Sequence, residues 1–228
     1  MTTGNIGELR EQHLHAALKE WYREEGDLLE VGVDGFVIDL IRDEILIEIQ
    51  TRGFSSMRRK LDRLLDAHPI RLVHPIAAEK WIRKIDDSGV EVSRKKSPKR
   101  GMIADVCAEL VSFPSLLSHP NLTLEVLLVQ EEEVRRPDPK AWRRNGWGIA
   151  ERRLVGILER VVFDGAEDLL TLLPPGLPDP FTTAHLAEEL GRSRHLAQEV
   201  AYCLREAGVL DTVGRSRGGI EYARPVGC

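Results

Sequence analysis

The sequence predicts a mixed α/β protein followed by a small unit of two helices and a hairpin. Three observations carry this reading. Apolar patterning of helical period alternates with strand-like runs through residues 5–173. The stretch Pro174-Pro175-Gly176-Leu177-Pro178-Asp179-Pro180 holds four prolines in seven residues and reads as a stiff linker. Beyond it, two short capped helices precede a glycine-rich segment. The expected domains are residues 1–173, with a core at 5–82 and further strands and basic loops at 83–173, then the linker 174–180, then residues 181–228.

Composition fits that plan. The chain has 228 residues, 42% apolar and 30% charged, which suits one large or two smaller globular domains. With 32 Lys+Arg against 37 Asp+Glu, the net charge of −5 excludes histone-like bulk binding of nucleic acid but not a local basic patch. Cys107, Cys203 and Cys228 are far apart and form no CxxC, so reduced thiols are expected and a cysteine-based zinc site is excluded. The polar N-terminus lacks the features of a signal peptide, and no apolar run is long enough to span a bilayer. A cytoplasmic protein with no membrane partner is expected.

Residues 5–25 predict a helix whose stripe is Ile6, Leu9, His13, Ala17 and Trp21, with Leu14 and Leu18 beside it; Gly26 stops it. Strands follow at 28–31, 36–41 and 45–50. A helix at 55–67, capped by Ser55 or Ser56, buries Met57, Leu61, Leu64 and Leu65. Residues 70–75 form an apolar strand, and 80–85 with 90–93 form a hairpin about Asp87-Ser88-Gly89. A helix at 102–111, strands at 122–129 and 154–162, and a short helix at 166–173 complete the first part.

In the C-terminal part, residues 181–190 form a helix with a threonine cap, ended by Gly191; Ser193 caps a second helix that buries Leu196, Val200 and Leu204 and ends at Gly208. A strand at 209–210, the segment Gly214-Arg215-Ser216-Arg217-Gly218-Gly219 and a strand at 220–222 follow. Residues 180–225 resemble a winged helix-turn-helix module. The resemblance implies that the second helix enters a major groove through Arg192, Arg194, His195 and Gln198, while Arg215 and Arg217 on the wing meet phosphates. Such modules also dock proteins, and residues 179–228 are nearly neutral, so dimerisation stays open.

The most informative segment is residues 35–51. Strand side chains alternate between faces, which puts Phe36, Ile38 and Leu40 with Ile45, Ile47 and Ile49 on one apolar face. The other face carries Val37, Asp39 and Ile41 with Leu46, Glu48 and Gln50. A two-residue loop at Asp43-Glu44 pairs Arg42 with Ile45 and sets Asp39 opposite Glu48. Facing carboxylates destabilise a ladder, and burying them costs more. A hard divalent cation, which takes carboxylate and carbonyl oxygens, relieves both penalties. A structural hairpin with both acids at a solvent-facing sheet edge is the plainer alternative.

Residues 5–82 resemble the PD-(D/E)xK nuclease superfamily, whose restriction-endonuclease-like fold is a mixed sheet flanked by helices. Its signature is an Asp on one strand and Glu-x-Lys on the next, often with a Glu on the first helix. Asp39 and Glu48 match the acidic positions, and Glu8, with Glu11 as alternative, matches the helical Glu. Ile38 replaces the usual proline, and Gln50 stands where Lys is usual, a departure that some restriction endonucleases share. In other members the lysine moves to the following helix, where this chain has Arg58, Arg59 and Lys60. The resemblance implies Mg²⁺ or Mn²⁺ held by Asp39, Glu48 and the Ile49 carbonyl, phosphodiester hydrolysis by an activated water, Gln50 orienting that water, and Lys60 offsetting charge in the transition state.

Five positive charges stand in residues 94–100, namely Arg94, Lys95, Lys96, Lys99 and Arg100. With Arg143 and Arg144 in the loop 135–147, they are candidates for a phosphate-contacting wall. Trp142 and Trp147 are candidates for stacking on unpaired bases or for core anchors. The seven histidines show no zinc spacing, and the absence of a phosphate-binding glycine loop and of GxSxG argues against an NTPase or serine hydrolase. Three functions remain in view: a metal-dependent nuclease acting on DNA first, a DNA-binding regulator with a silent nuclease fold, and an interaction module that forms a homodimer.

Overall fold

The computed structural model describes residues 6–225, with side chains from residue 13 onward. Candidates Glu8 and Glu11 lie on a described helical backbone, but their side chains, like Cys228, fall outside the described residues. Among the described residues the chain forms a seven-stranded mixed sheet with helices on both faces, and a smaller three-stranded sheet at the C-terminus.

The order begins with α1 (Ile6–Tyr22), then β1 (Leu28–Val33), β2 (Phe36–Arg42) and β3 (Ile45–Ile49), α2 (Arg58–Leu64) and β4 (Ile70–Ile85). Next come β5 (Glu91–Lys96), α3 (Cys107–Leu110), β6 (Leu122–Pro137) and β7 (Trp147–Phe163). In the large sheet β1, β2 and β3 run antiparallel, β4 lies parallel to β3 and to β6, and β7 and β5 pair antiparallel to β6 and β4. The C-terminal part holds β8 (Phe181–Thr182), α4 (Thr183–Leu190), α5 (Arg194–Glu206), β9 (Asp211–Ser216) and β10 (Gly219–Ala223).

The two-residue turn forms where the sequence predicts it, with Leu40↔Ile47, Ile41↔Leu46 and Arg42↔Ile45 in register. Asp43 and Glu44 take positive φ values of 45° and 73°, the left-handed geometry that a two-residue hairpin requires. The single-core-face expectation is corrected. One sheet face meets Leu14, Leu18 and Tyr22 of α1, and the other meets α2, α3 and the C-terminal helices. Leu46 is therefore buried like Ile47, as expected of a strand covered on both sides.

The alternation also breaks at Asp39. Ile38 joins the α2-side core while Leu40 joins the α1-side core, two residues apart. Opposite the break, Glu30 has φ 52°, and the β1–β2 ladder pairs Leu29↔Leu40 and Val31↔Ile38 on either side of it. An irregularity of this kind re-aims one side chain at the cost of local pairing.

Further corrections concern lengths and faces. The buried stripe of α1 is Leu14, Leu18 and Tyr22, whereas Trp21 is 48% exposed and His13 is exposed. Tyr22 decides this rotation, because its hydroxyl donates to the fully buried Glu125 at 2.7 Å. β4 does not end at Pro75. Pairing with β3 stops at Val73, so the missing N–H of Pro75 costs no ladder bond on that side. β6 and β7 also outrun their predicted ends, and with β4 and β5 they build an arm. Residues 166–172 form a 3-10 rather than an α-helix, and the segment 214–219 is mostly strand rather than loop.

The proline-rich stretch buries Leu177 in the same apolar cluster as Phe163, Leu110 and Leu204. Thr182 and Ser193 accept the N-terminal N–H groups of α4 and α5, as their positions predict. α5 lies on α3, with the Cys203 thiol donating to the Cys107 carbonyl at 3.7 Å. No helix among the described residues is long and apolar enough to cross a membrane.

Tyr22→Phe removes a hydrogen bond to a buried carboxylate that Arg160 also holds at 2.9 Å. Urea unfolding is expected to show a loss of about 2 kcal/mol, the scale of hydrogen bonds to charged groups.

Candidate functional site

Four elements converge near the end of the β2–β3 hairpin. β2 supplies Asp39, β3 supplies Glu48, α1 supplies His15 and Lys19, and α2 supplies Lys60. His15 and Lys19 are four residues apart and each follows a buried leucine, so docking Leu14 and Leu18 swings both polar side chains toward β2.

Asp39 Oδ2 accepts from His15 Nε2 at 3.0 Å and from the Ile49 N–H at 3.0 Å. Its Oδ1 lies 3.9 Å from Lys19 Nζ, which donates to Glu30 at 2.6 Å. Burial pushes the Asp39 carboxyl up, but the His15 bond, the Ile49 amide and the Lys19 charge outweigh it and leave the pKa lowered. Asp39 is thus an anion held ready on one side and open at Oδ1.

Glu48 lies on the opposite, α2-facing side of β3 and is 6% exposed. Lys60 Nζ forms an ion pair with its Oε1 and donates to the Val37 carbonyl at 2.6 Å. The Asp39 N–H also supports the Glu48 carboxylate, which makes the two acids immediate neighbours. Burial raises the Glu48 pKa; Lys60 opposes the rise and the Asp39 charge adds to it.

The sequence candidates Asp39, Glu48, Ile49 and Lys60 are neighbours, but the expected same-face pair is corrected: the irregularity at Asp39 turns its carboxylate to His15 on the α1 side, while Glu48 meets Lys60 on the α2 side. Gln50 takes another role. Its side-chain amide donates to the Arg52 carbonyl at 2.6 Å, while its own carbonyl accepts from the buried His74 at 2.7 Å. Glu109 accepts the N–H groups of Gly53 and Phe54 at 2.9 and 3.0 Å. Gln50, His74 and Glu109 fix the loop that aims α2, and through α2 they aim Lys60. Sequence reasoning missed His15 and Lys19 as partners of Asp39. Their i,i+4 spacing is the available signal, and the larger apolar stripe through Ala17 and Trp21 hides it.

A hard divalent cation fits this donor set in kind. Two adjacent carboxylates and the Ile49 carbonyl are oxygen ligands, and Asp39 Oδ1 has no hydrogen-bond partner among the described residues. Among the described residues no three His, Cys, Asp or Glu side chains gather closely enough to hold a metal on their own. Such an ion would rest on Asp39, Glu48, the carbonyl and water.

The basic candidates separate into two groups. In the arm, Arg94 donates to Glu132 at 2.8 Å and stacks on Trp81, and Lys96 donates to Glu79 at 2.6 Å. Buried Glu131 and Glu133 engage Lys80, Arg152 and Arg135. Arg143 stacks on its exposed neighbour Trp142 at the arm tip, where Arg144 also lies, and Trp147 carries Lys84. Lys95 is exposed on β5. Elsewhere, Lys99 and Arg100 line a cleft of about 710 Å³ with Arg192 and His195, and Arg192 donates to the Arg100 carbonyl at 2.6 Å. Arg194 is tied to the Gly218 carbonyl at 2.6 Å, whereas Gln198, Arg215 and Arg217 are exposed.

The family model described as "Domain of unknown function (DUF8091)" matches residues 12–164. That span contains Asp39, Glu48 and Lys60 and the whole seven-stranded sheet up to residue 163. An uncharacterized protein of Treponema pallidum (strain Nichols) is 28% identical over 224 residues, which cover 97% of this chain and 89% of the relative. No solved structure matches the chain.

Lys60→Met leaves Glu48 buried without its cation, and stability near pH 7.5 is expected to fall by about 3 kcal/mol. A carboxyl whose folded pKa lies above its unfolded value loses stability as pH rises through that interval. Urea denaturation of the variant should therefore show a smaller deficit at pH 5 than at pH 7.5, and Lys60→Met/Glu48→Gln should recover much of the difference.

Proposed function

The chain belongs to the DUF8091 family by a match over more than half its length, and we propose that it is a metal-dependent nuclease, with DNA as the first substrate to test. The observation that carries this reading is that the Asp39 carboxylate accepts from the Ile49 N–H at 3.0 Å, one residue from Glu48, which is ion-paired to Lys60. Supporting it is the order of elements: a helix, three antiparallel strands, a helix and a fourth strand parallel to the third. The superfamily that the sequence resembles has this same helix–three strands–helix–strand order.

In this reading Asp39, Glu48 and the Ile49 carbonyl would hold Mg²⁺ or Mn²⁺. When bound, the ion would lower the pKa of a water and polarise the scissile phosphate. The chain's own residues do the rest. His15 and the Ile49 N–H fix one oxygen of Asp39 and keep the group ionised, so the other oxygen remains a ligand. Lys60 neutralises Glu48 and stands where it can offset charge on a phosphoryl oxygen. The Lys arrives from α2 because Gln50 is engaged in the loop. The C-terminal part reads as a winged helix: α4 and α5 meet across Gly191, and the hairpin β9–β10 carries Arg215 and Arg217. The cleft shared with Lys99 and Arg100 also carries Asp105 and Glu199, with Glu199 3.2 Å from His195, so Lys99 and Arg100 are its candidates for phosphate contact.

A second reading has its own observation. Asp39 and Glu48 already have protein cations beside them, Lys19 and Lys60, as in a nuclease fold retained for binding alone. Cleavage of supercoiled plasmid and single-stranded DNA with Mg²⁺ or Mn²⁺ separates the two. Wild type is expected to cut at least one substrate, and Asp39→Ala and Lys60→Met to lose about 100-fold or more, the scale of removing one transition-state contact. DNA binding without cleavage by any of the three proteins would favour the second reading.

A further inference from the structure

The cations that the sequence advertises in the arm are largely neutralised there. Arg94, Lys96, Lys80, Arg135 and Arg152 each face a glutamate. The positive charge left beside Glu48 and Lys60 belongs instead to α2. A groove of about 940 Å³ runs between the β1–β2 turn and α2, lined by Asp34, Phe36, Arg58, Arg59, Asp62 and Arg63. It adjoins the candidate site on both walls. Lys60 follows Arg59 on the helix, and Val37, whose carbonyl Lys60 binds, follows Phe36 on the strand.

The charges in the groove are not balanced. Asp34 is engaged by His68 at 3.2 Å, and Asp62 by Arg58 at 3.8 Å. Arg59 and Arg63, four residues apart on one helical face, have no carboxylate within ion-pair distance among the described residues. Both are exposed. Two guanidinium groups projecting from one helix face present paired, forked donors, the geometry that suits phosphate oxygens.

We propose that this groove binds the sugar–phosphate backbone of the nucleic acid strand led to Glu48 and Lys60, with Arg59 and Arg63 as its phosphate contacts. The proposal rests on the nucleic-acid reading above and assigns the strand path to α2 rather than to the arm. An acidic peptide is the competing occupant, but it presents planar carboxylates at irregular spacing, whereas a backbone brings one phosphodiester charge per nucleotide past both arginines at regular intervals.

Binding of a fluorescent duplex and a single-stranded oligonucleotide, read by anisotropy in EDTA across a salt series, tests this apart from catalysis. Arg59→Ala/Arg63→Ala is expected to weaken binding about tenfold and to lower the slope of log K against log salt by about two. Arg59→Glu/Arg63→Glu should weaken it further, with thermal unfolding unchanged, since both side chains are exposed. Wild-type binding with unchanged affinity and slope in the alanine variant would overturn the groove while leaving the nuclease reading intact. So would displacement of the oligonucleotide by polyglutamate as efficiently as by unlabelled DNA at equal charge. A wild type that binds neither oligonucleotide at low salt overturns both.

Discussion

Two adjacent carboxylates on neighbouring strands, one met by a partner from α1 and the other by a partner from α2, set the terms for the rest of this protein. Neither Asp39 nor Glu48 can be held near an apolar interior without compensation. The sheet answers from each side: the His15 ring and the Lys19 ammonium from α1 on one face, Lys60 from α2 on the other. Both helices must then dock at fixed rotations. Leu14, Leu18 and Tyr22 fix α1, and Leu61 and Leu64 fix α2, so ordinary apolar burial positions the charged groups. The Glu30 irregularity opposite Asp39 belongs to the same constraint, because a regular ladder would send Asp39 to the same face as Glu48.

Charge in the arm follows a different logic. Glu131, Glu132 and Glu133 are each under a tenth exposed, an unusual run inside a strand. Arginines and lysines from β4, β5 and β7 cover them, while the Arg94 guanidinium lies over Trp81 and the Lys84 ammonium over Trp147. The arm is thereby a sheet extension held by ion pairs and cation–π contacts instead of an aliphatic core. Its basic residues serve the arm's own glutamates first.

Much of this was legible in the sequence, and the limits have identifiable causes. Asp43-Glu44 as a two-residue turn, and with it the register of the hairpin, followed from residue spacing alone, as did the caps at Thr182 and Ser193. The strand lengths were not legible, since Pro75 and the charges of residues 79–84 signal an ending in any local reading. They are tolerated because β3 has already left that edge and glutamates on β6 meet the charges. The face of α1 was misread by one residue, because Trp21 outweighs Tyr22 in apolar size while the deciding contact, Glu125, lies more than a hundred residues away. The partners of Asp39 were lost with it.

The departure at Gln50 follows from how the chain must turn. After β3 the backbone has to leave the sheet and deliver α2 to its face within a few residues, through Gly53 in the left-handed region. Gln50 stabilises that exit by donating to the Arg52 carbonyl, and His74 and Glu109 hold its other groups. A side chain committed to the loop cannot also face Glu48. The positive charge that Glu48 needs must come from the helix the loop delivers, and Lys60, on the first turn of α2, is placed to supply it. A strand lysine would owe its position to the ladder alone. A helical lysine owes it to the loop, the core under Leu61 and the Phe54–Phe113 stack, so the site's electrostatics depend on packing well outside the site.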